Sequence, residues 1–167
     1  STIAKTTVTS KGKYSFTAKI SKVGKTKLRV VTAATSDYKR AVSAKKKLTV
    51  RDTKAREAVK FALAKVGKSY RHGATGPNAF DCSGLTSYAY AKAGVKLPRS
   101  SRSQLSKGKS VKKKNLKPGD LVFFYSPVSH VAIYIGDGKV VHAGNSRTGV
   151  NVTKLKYMPF SGARRVG

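Results

Sequence analysis

The sequence predicts an α+β fold for residues 53–167, preceded by a small all-β segment over residues 1–50. Three observations predict it. Apolar positions recur twice at helical spacing after residue 53, short strand patterns separated by turn residues follow from Leu121, and the first fifty residues alternate with a period of two.

Within residues 1–50, Lys13 to Ile20 places Tyr14, Phe16, Ala18 and Ile20 on one face, and Lys27–Thr32 and Lys47–Val50 read as further strands. Lys11-Gly12 and Val23-Gly24-Lys25 read as turns. Three or four short strands do not close a sandwich alone. The stretch from Gly12 to Val50, with its S-D-Y and A-V-S segments and closing L-T-V, resembles the latter part of bacterial immunoglobulin-like wall-protein modules. That resemblance implies a module whose start is missing.

Asp52 or Thr53 is placed to cap a helix with Ala55, Val59, Ala62, Leu63 and Val66 on its inner face, ending at Gly67. Tyr70 to Phe80 is glycine- and proline-bearing loop. A second helix begins near Cys82 and carries Leu85, Tyr88, Ala89 and Ala93 before Gly94. Strands are expected at Leu121–Tyr125, His130–Ile135, Lys139–Ala143 and Val150–Val152, and Lys112-Lys113-Lys114 reads as a solvated loop. Tyr125, Tyr134 and Phe160 read as strand core residues.

The chain has 36 Lys and Arg against 6 acidic residues, a net charge of +30. Such a field attracts polyanions and is screened within about 8 Å at physiological salt. Scattered lysines without zinc-finger spacing or an RNA-binding aromatic signature speak against specific nucleic-acid recognition. A solubilising lysine coat and attraction to anionic cell-wall polymers are the remaining readings. No run of 18 apolar residues is present, so no spanning helix is expected. Ser1 opens in polar, strand-like sequence, and a leader is expected to have been removed upstream.

A single cysteine forms no internal disulfide, which directs attention to its chemistry. Cys82 follows a loop and opens a helical pattern, where unpaired N–H groups favour thiolate and can hold an oxyanion. A thiol nucleophile needs a base and the base an orienting partner. Two of the three histidines, His130 and His142, lie on consecutive strands joined by Gly136-Asp137-Gly138. Side-chain alternation makes register decisive: a three-residue loop with Gly138 in a left-handed bulge position sets His142 opposite Ala132, on the face of His130. A Cys/His/His zinc site is the rival, but it lacks an evident fourth protein ligand, so no metal and no cofactor is expected. His72 reads as a loop histidine.

Five motifs occur in order: Asp81-Cys82-Ser83-Gly84-Leu85; Leu97-Pro98-Arg99-Ser100-Ser101 with Gln104; Leu116 to Phe124; His130 to Gly136; and Val141-His142-Ala143. They resemble the NlpC-type cell-wall endopeptidases, papain-like cysteine peptidases in which helices pack on an antiparallel sheet, over residues 53–167. The resemblance implies hydrolysis of D-γ-glutamyl–diamino acid bonds in peptidoglycan stem peptides, with Cys82 as nucleophile, His130 as base and His142 as third polar residue. It also implies substrate contacts from Tyr70, Asp81 and Ser83, and a secreted, wall-associated monomer. The family's usual Tyr-x-Trp-Gly-Gly is here Tyr70-Arg71-His72-Gly73-Ala74, which replaces an aromatic wall by a histidine. A non-hydrolytic cationic wall-binding module and an amidase or acyltransferase with the same Cys–His chemistry are the alternatives.

Overall fold

A two-stranded ribbon and a six-stranded sheet belong to separate units, residues 1–52 and 53–167, in a computed structural model that describes residues 24–33, 36, 39–50 and 53–166. In the first unit, β1 (Gly24–Leu28) pairs antiparallel with β2 (Lys46–Val50), Gly24 opposite Val50 and Leu28 opposite Lys46. A bridge between Val31 and Val42 extends the ribbon. The expected turn at Val23-Gly24-Lys25 is corrected here: Gly24 and Lys25 are paired strand residues, because a glycine at a strand end punctuates nothing when it has a partner across the ladder. The expected strand Lys13–Ile20 and the turn at Lys11-Gly12 lie outside the described residues.

The second unit opens with α1 (Lys54–Leu63), capped by the Thr53 hydroxyl, which accepts from the Arg56 N–H at 3.2 Å. Its inner face is Ala58 and Ala62, whereas Leu63 and Val66, expected inside, are exposed. The helix stops at Leu63, so Val66 no longer obeys its period. Leu63 itself lies five residues from Ala58, about 140° around the axis.

The loop that follows is closed by a two-residue parallel pair, β3 (Ser69–Tyr70) with β4 (Ala79–Phe80). Next comes α2 (Cys82–Lys92), which buries Leu85, Ala89 and Tyr90. A short α3 (Ser101–Leu105), capped by Ser100, was not predicted. Its fully buried side chain is the polar Gln104, bonded to Thr86, Ser87 and the carbonyls of Ser83 and Pro98, and a polar anchor leaves no apolar period to read.

Six strands form the sheet: β5 (Lys109–Ser110), β6 (Leu121–Phe124), β7 (His130–Gly136), β8 (Lys139–Ala143), β9 (Val150–Lys154) and β10 (Phe160–Arg165). Their order is β5-β10-β6-β7-β8-β9, antiparallel throughout. The expected α+β class holds, with helices packed on an antiparallel sheet. Both sheet faces are covered. Phe123, Val131, Ile133 and Val141 meet Leu85, Ala89 and Tyr90 on the helix side, while Val122, Phe124, Ala132, Val140, Leu155 and Ala163 form a second core on the other side. Burial on both faces explains the unbroken apolar run Leu121-Val122-Phe123-Phe124.

The β7–β8 turn departs from expectation in mechanism and agrees in result. Its loop is the two residues Asp137 and Gly138, at φ 51° and 65°, as a mirror-image hairpin turn requires. A bulge between Tyr134 and Gly136 supplies the extra residue: Gly136 faces Lys139, but Tyr134 faces Val140 and Ile133 faces Val141. Carried one step further, that register sets His142 across from Ala132.

Candidate active site

Asp81 ends the loop before α2 and caps it, its Oδ1 accepting from the Gly84 N–H at 2.6 Å. The other carboxylate oxygen accepts from the Gly73 N–H at 2.9 Å, and Arg99 grips both oxygens while donating to the Ser83 hydroxyl at 2.9 Å. Burial favours the neutral acid, but the Arg99 guanidinium and the two backbone donors outweigh it and hold the Asp81 carboxyl below its ordinary range. This network sets Cys82 at the first position of the helix.

The sulfur is half-buried against the helix-side core and accepts from the Val131 N–H and from Ser83. Burial nevertheless pushes the thiol upward, the Asp81 charge adds to that, and the Val131 and Ser83 donors recover only part of it. Burial thus works against the thiolate that the helix start was expected to favour. Tyr70 stands near enough to feel the charges of Cys82 and Asp81, which add to burial in raising its phenol. The β3–β4 pair accounts for its place, since Tyr70 is opposite Phe80, one residue before Asp81.

His130 is the first residue of β7, immediately before the Val131 amide that meets the sulfur. Its Nε2 lies 2.7 Å from His142 Nδ1, with the ring centroids 4.9 Å apart and the planes at 87°. Both imidazoles share the parity of Ala132 and Val140 and belong to the second face of the sheet, whereas Cys82 packs with the first. The chain itself links the two at the start of β7, where the Val131 amide follows His130. Among the described residues no hydrogen bond joins Sγ directly to a ring. Burial, reinforced by the neighbouring His142, lowers His130 to about 4. Burial also lowers His142, countered by a hydrogen bond with Asn151.

Tyr70, Asp81, Ser83 and Cys82 thus gather at the start of α2, and His130 meets His142 where β7 begins, while His72 stays exposed on the turn before Gly73. Tyr125, expected in the core, is 43% exposed at φ 70° and lines an open pocket with the two imidazoles; Tyr134 and Phe160 do pack on the second core. Arg99 and Asn151 were not singled out from the sequence. Only six acids face 36 cations in this chain, so a buried Asp81 already implied a cationic partner. Among the described residues no three His, Cys, Asp or Glu side chains gather in a metal-ligand arrangement.

A thiol at a helix start that meets the amide after His130, and two mutually bonded imidazoles on adjacent strands, are the residue types a cysteine peptidase needs. The sequence matches the NlpC/P60 family over residues 67–163. The chain belongs to the NlpC/P60 family of cysteine endopeptidases. It is 51% identical over 107 residues to a probable endopeptidase of Corynebacterium glutamicum, covering 64% of this chain and 51% of that protein. The chain spans about half the length of that relative. The solved NlpC/p60 domain of the peptidoglycan hydrolase SagA superposes with a TM-score of 0.63 at 31% identity, over 67% of this chain and 98% of SagA's. The peptidoglycan hydrolase RipB of Mycobacterium tuberculosis gives 0.58 at 30% identity, over 67% and 66%. The NlpC/P60 match begins at residue 67, so it lends nothing to the immunoglobulin-like resemblance of residues 1–50. No described helix is long and apolar enough to cross a membrane.

Proposed function

We propose that residues 53–167 hydrolyse D-γ-glutamyl–diamino acid amide bonds in peptidoglycan stem peptides through a thioester on Cys82. The carrying observation is the 2.7 Å contact between His130 and His142, with the next residue's amide, Val131 N–H, donating to the Cys82 sulfur. His130 takes the thiol proton as sulfur attacks the γ-carbonyl carbon, and backbone N–H groups at the start of α2 take up the oxyanion. Collapse breaks the C–N bond, and the leaving amine receives the proton from His130. Water, deprotonated by His130, then cleaves the thioester, releasing the γ-carboxyl product and restoring the thiol. His142 orients the His130 ring throughout. Asp81, Ser83 and Tyr70 supply polar groups beside the nucleophile, suited to a substrate's free amine.

The peptidoglycan hydrolases SagA and RipB support the substrate class. The net charge of +30, to which residues 1–50 contribute 13 basic and 1 acidic residue, supports a secreted, wall-associated protein held near anionic wall polymers. On this reading residues 1–50 are a targeting or spacing element of immunoglobulin-like kind.

Digestion of defined muropeptides, with products weighed by mass spectrometry, tests the proposal. Wild type is expected to add one water across the γ-glutamyl bond, and Cys82→Ala to lose roughly 10³-fold or more of that rate. Equal digestion by the Ala variant overturns it. Transfer of the acyl group to an amine instead of water assigns the same chemistry to an acyltransferase.

A further inference from the structure

We propose that Asn151 is a positioning residue of this site, its side-chain amide holding His142 in the one tautomer that leaves His130 Nδ1 free to take the Cys82 proton. The inference rests on the reading of Cys82 and His130 as nucleophile and base, and adds what selects the productive proton arrangement.

The 2.7 Å contact between His130 Nε2 and His142 Nδ1 holds one proton, and it has two possible owners. If the proton belongs to His142 Nδ1, then His130 Nε2 is the acceptor. Neutral His130 then carries its own proton on Nδ1 and has no lone pair for the thiol. If the proton belongs to His130 Nε2, then Nδ1 of that ring is a lone pair. In this second state His142 accepts through Nδ1, and its own proton is on Nε2. Whatever faces His142 Nε2 therefore decides whether His130 can act as a base.

Asn151 faces it. The residue sits directly opposite His142 in the β8–β9 pairing, and both line the same pocket. The two side chains converge over Gly144, where an added Cβ would lie 3.1 Å from Asn151 Nδ2 and 3.4 Å from His142 Cε1. Asn151 Nδ2 donates to the Gly149 carbonyl at 3.2 Å, which orients the amide and keeps Oδ1 as its acceptor. Since His142 Nδ1 is occupied by His130, the ring nitrogen left for Oδ1 is Nε2. A side-chain hydrogen bond with Asn151 draws His142 upward against burial. No Asp, Glu, Lys or Arg lines that pocket, which leaves hydrogen bonding rather than a nearby charge to set the tautomer.

Ring-nitrogen NMR of the ¹⁵N-labelled chain reads the tautomers without any substrate. At neutral pH both His130 and His142 are expected to be protonated on Nε2. Asn151→Ala is expected to give mixed His142 tautomers and to lower kcat on a muropeptide by roughly 10–100-fold, with KM little changed. Asn151→Asp, which retains an acceptor, is expected to recover most of the rate and the single tautomer. Protonation of His142 at Nδ1 in the wild type, or an Ala variant with wild-type tautomers and rate, overturns the proposal. A wild-type chain that cleaves no muropeptide refutes the proposed function, and the NMR spectra still decide the tautomer.

Discussion

His130 Nε2 meets His142 Nδ1 at 2.7 Å because one extra residue in β7 turns the two rings to the same face of the sheet. A regular two-residue hairpin would place His142 against Ile133 and aim the imidazoles apart. The bulge before Gly136 is thus part of the site although it lies several residues from it. In this geometry His142 touches no reacting atom and acts on the His130 ring. His142→Ala is expected to lower kcat on a muropeptide by about 10²-fold with little change in KM, a split that steady-state kinetics measures directly.

Burial of both members of the proposed nucleophile–base pair, Cys82 and His130, predicts an unusual pH response. His130 must be neutral to take a proton, and its lowered value of about 4 puts the acid limb of kcat/KM near pH 4, not near 6.5. The same shift has a stability consequence. The group is neutral in the folded state at pH values where the unfolded chain would protonate it. Its contribution is therefore complete above about pH 6.5 and is lost as pH falls towards 4. A pH series of the hydrolysis rate, alongside thermal melts over the same range, checks both statements.

Thiol reactivity offers a test that needs no substrate. With burial raising Cys82 beyond what the Val131 and Ser83 donors recover, alkylation by iodoacetamide is expected to be slow at pH 7 and still rising above pH 9. An alkylation rate that levels off near pH 6 would mean a preformed thiolate and would contradict this ordering of desolvation over the helix dipole.

The residues proposed for catalysis were singled out in the sequence by local signals: a cap before Cys82, strand alternation at His130 and His142, and glycines between them. Residues whose role is set by distant partners were not. Gln104 is buried and polar, so α3 has no apolar stripe. β10 reads Phe-Ser-Gly-Ala-Arg-Arg and owes its place to pairing with β6 and to Arg165, not to an apolar pattern of its own. Asn151 between two valines looks like an outward strand residue until β9 is known to pair with β8. The hairpin register was predicted correctly through the wrong device, since a bulge within the strand and a longer loop displace the partner strand equally.

Gly84 lies two residues after Cys82, and its lack of a side chain lets α2 press against the loop that follows Tyr70. A Cβ there would fall on the Ala74 carbonyl oxygen and within 3.0 Å of Asp81 Oδ1. Backbone and a fully bonded carboxylate cannot step aside as a flexible side chain would. Gly84→Ala is expected to destabilise the unit by about 1–3 kcal/mol, read as a lower urea midpoint, and to lower activity with it.

The pairing of Asp120 with Arg165 is expected to matter for stability and not for chemistry. Asp120 is 2% exposed, and its carboxylate accepts from Arg165 Nε and Nη2 at 2.7 Å each and from the Lys117 N–H at 2.8 Å. This single side chain ties the turn before β6 to the end of β10, a strand with little apolar surface to hold it. Asp120→Ala leaves the Lys117 amide without its acceptor and Arg165 without its partner, although Arg165 is 38% exposed and water can reach it. The loss is therefore expected at the low end for breaking a buried pair, about 2–3 kcal/mol. Urea denaturation measures it. At temperatures where the variant stays folded, kcat on a muropeptide should remain within about twofold of wild type, because the pair lies at the opposite end of β6 from the His130 pairing with Phe124.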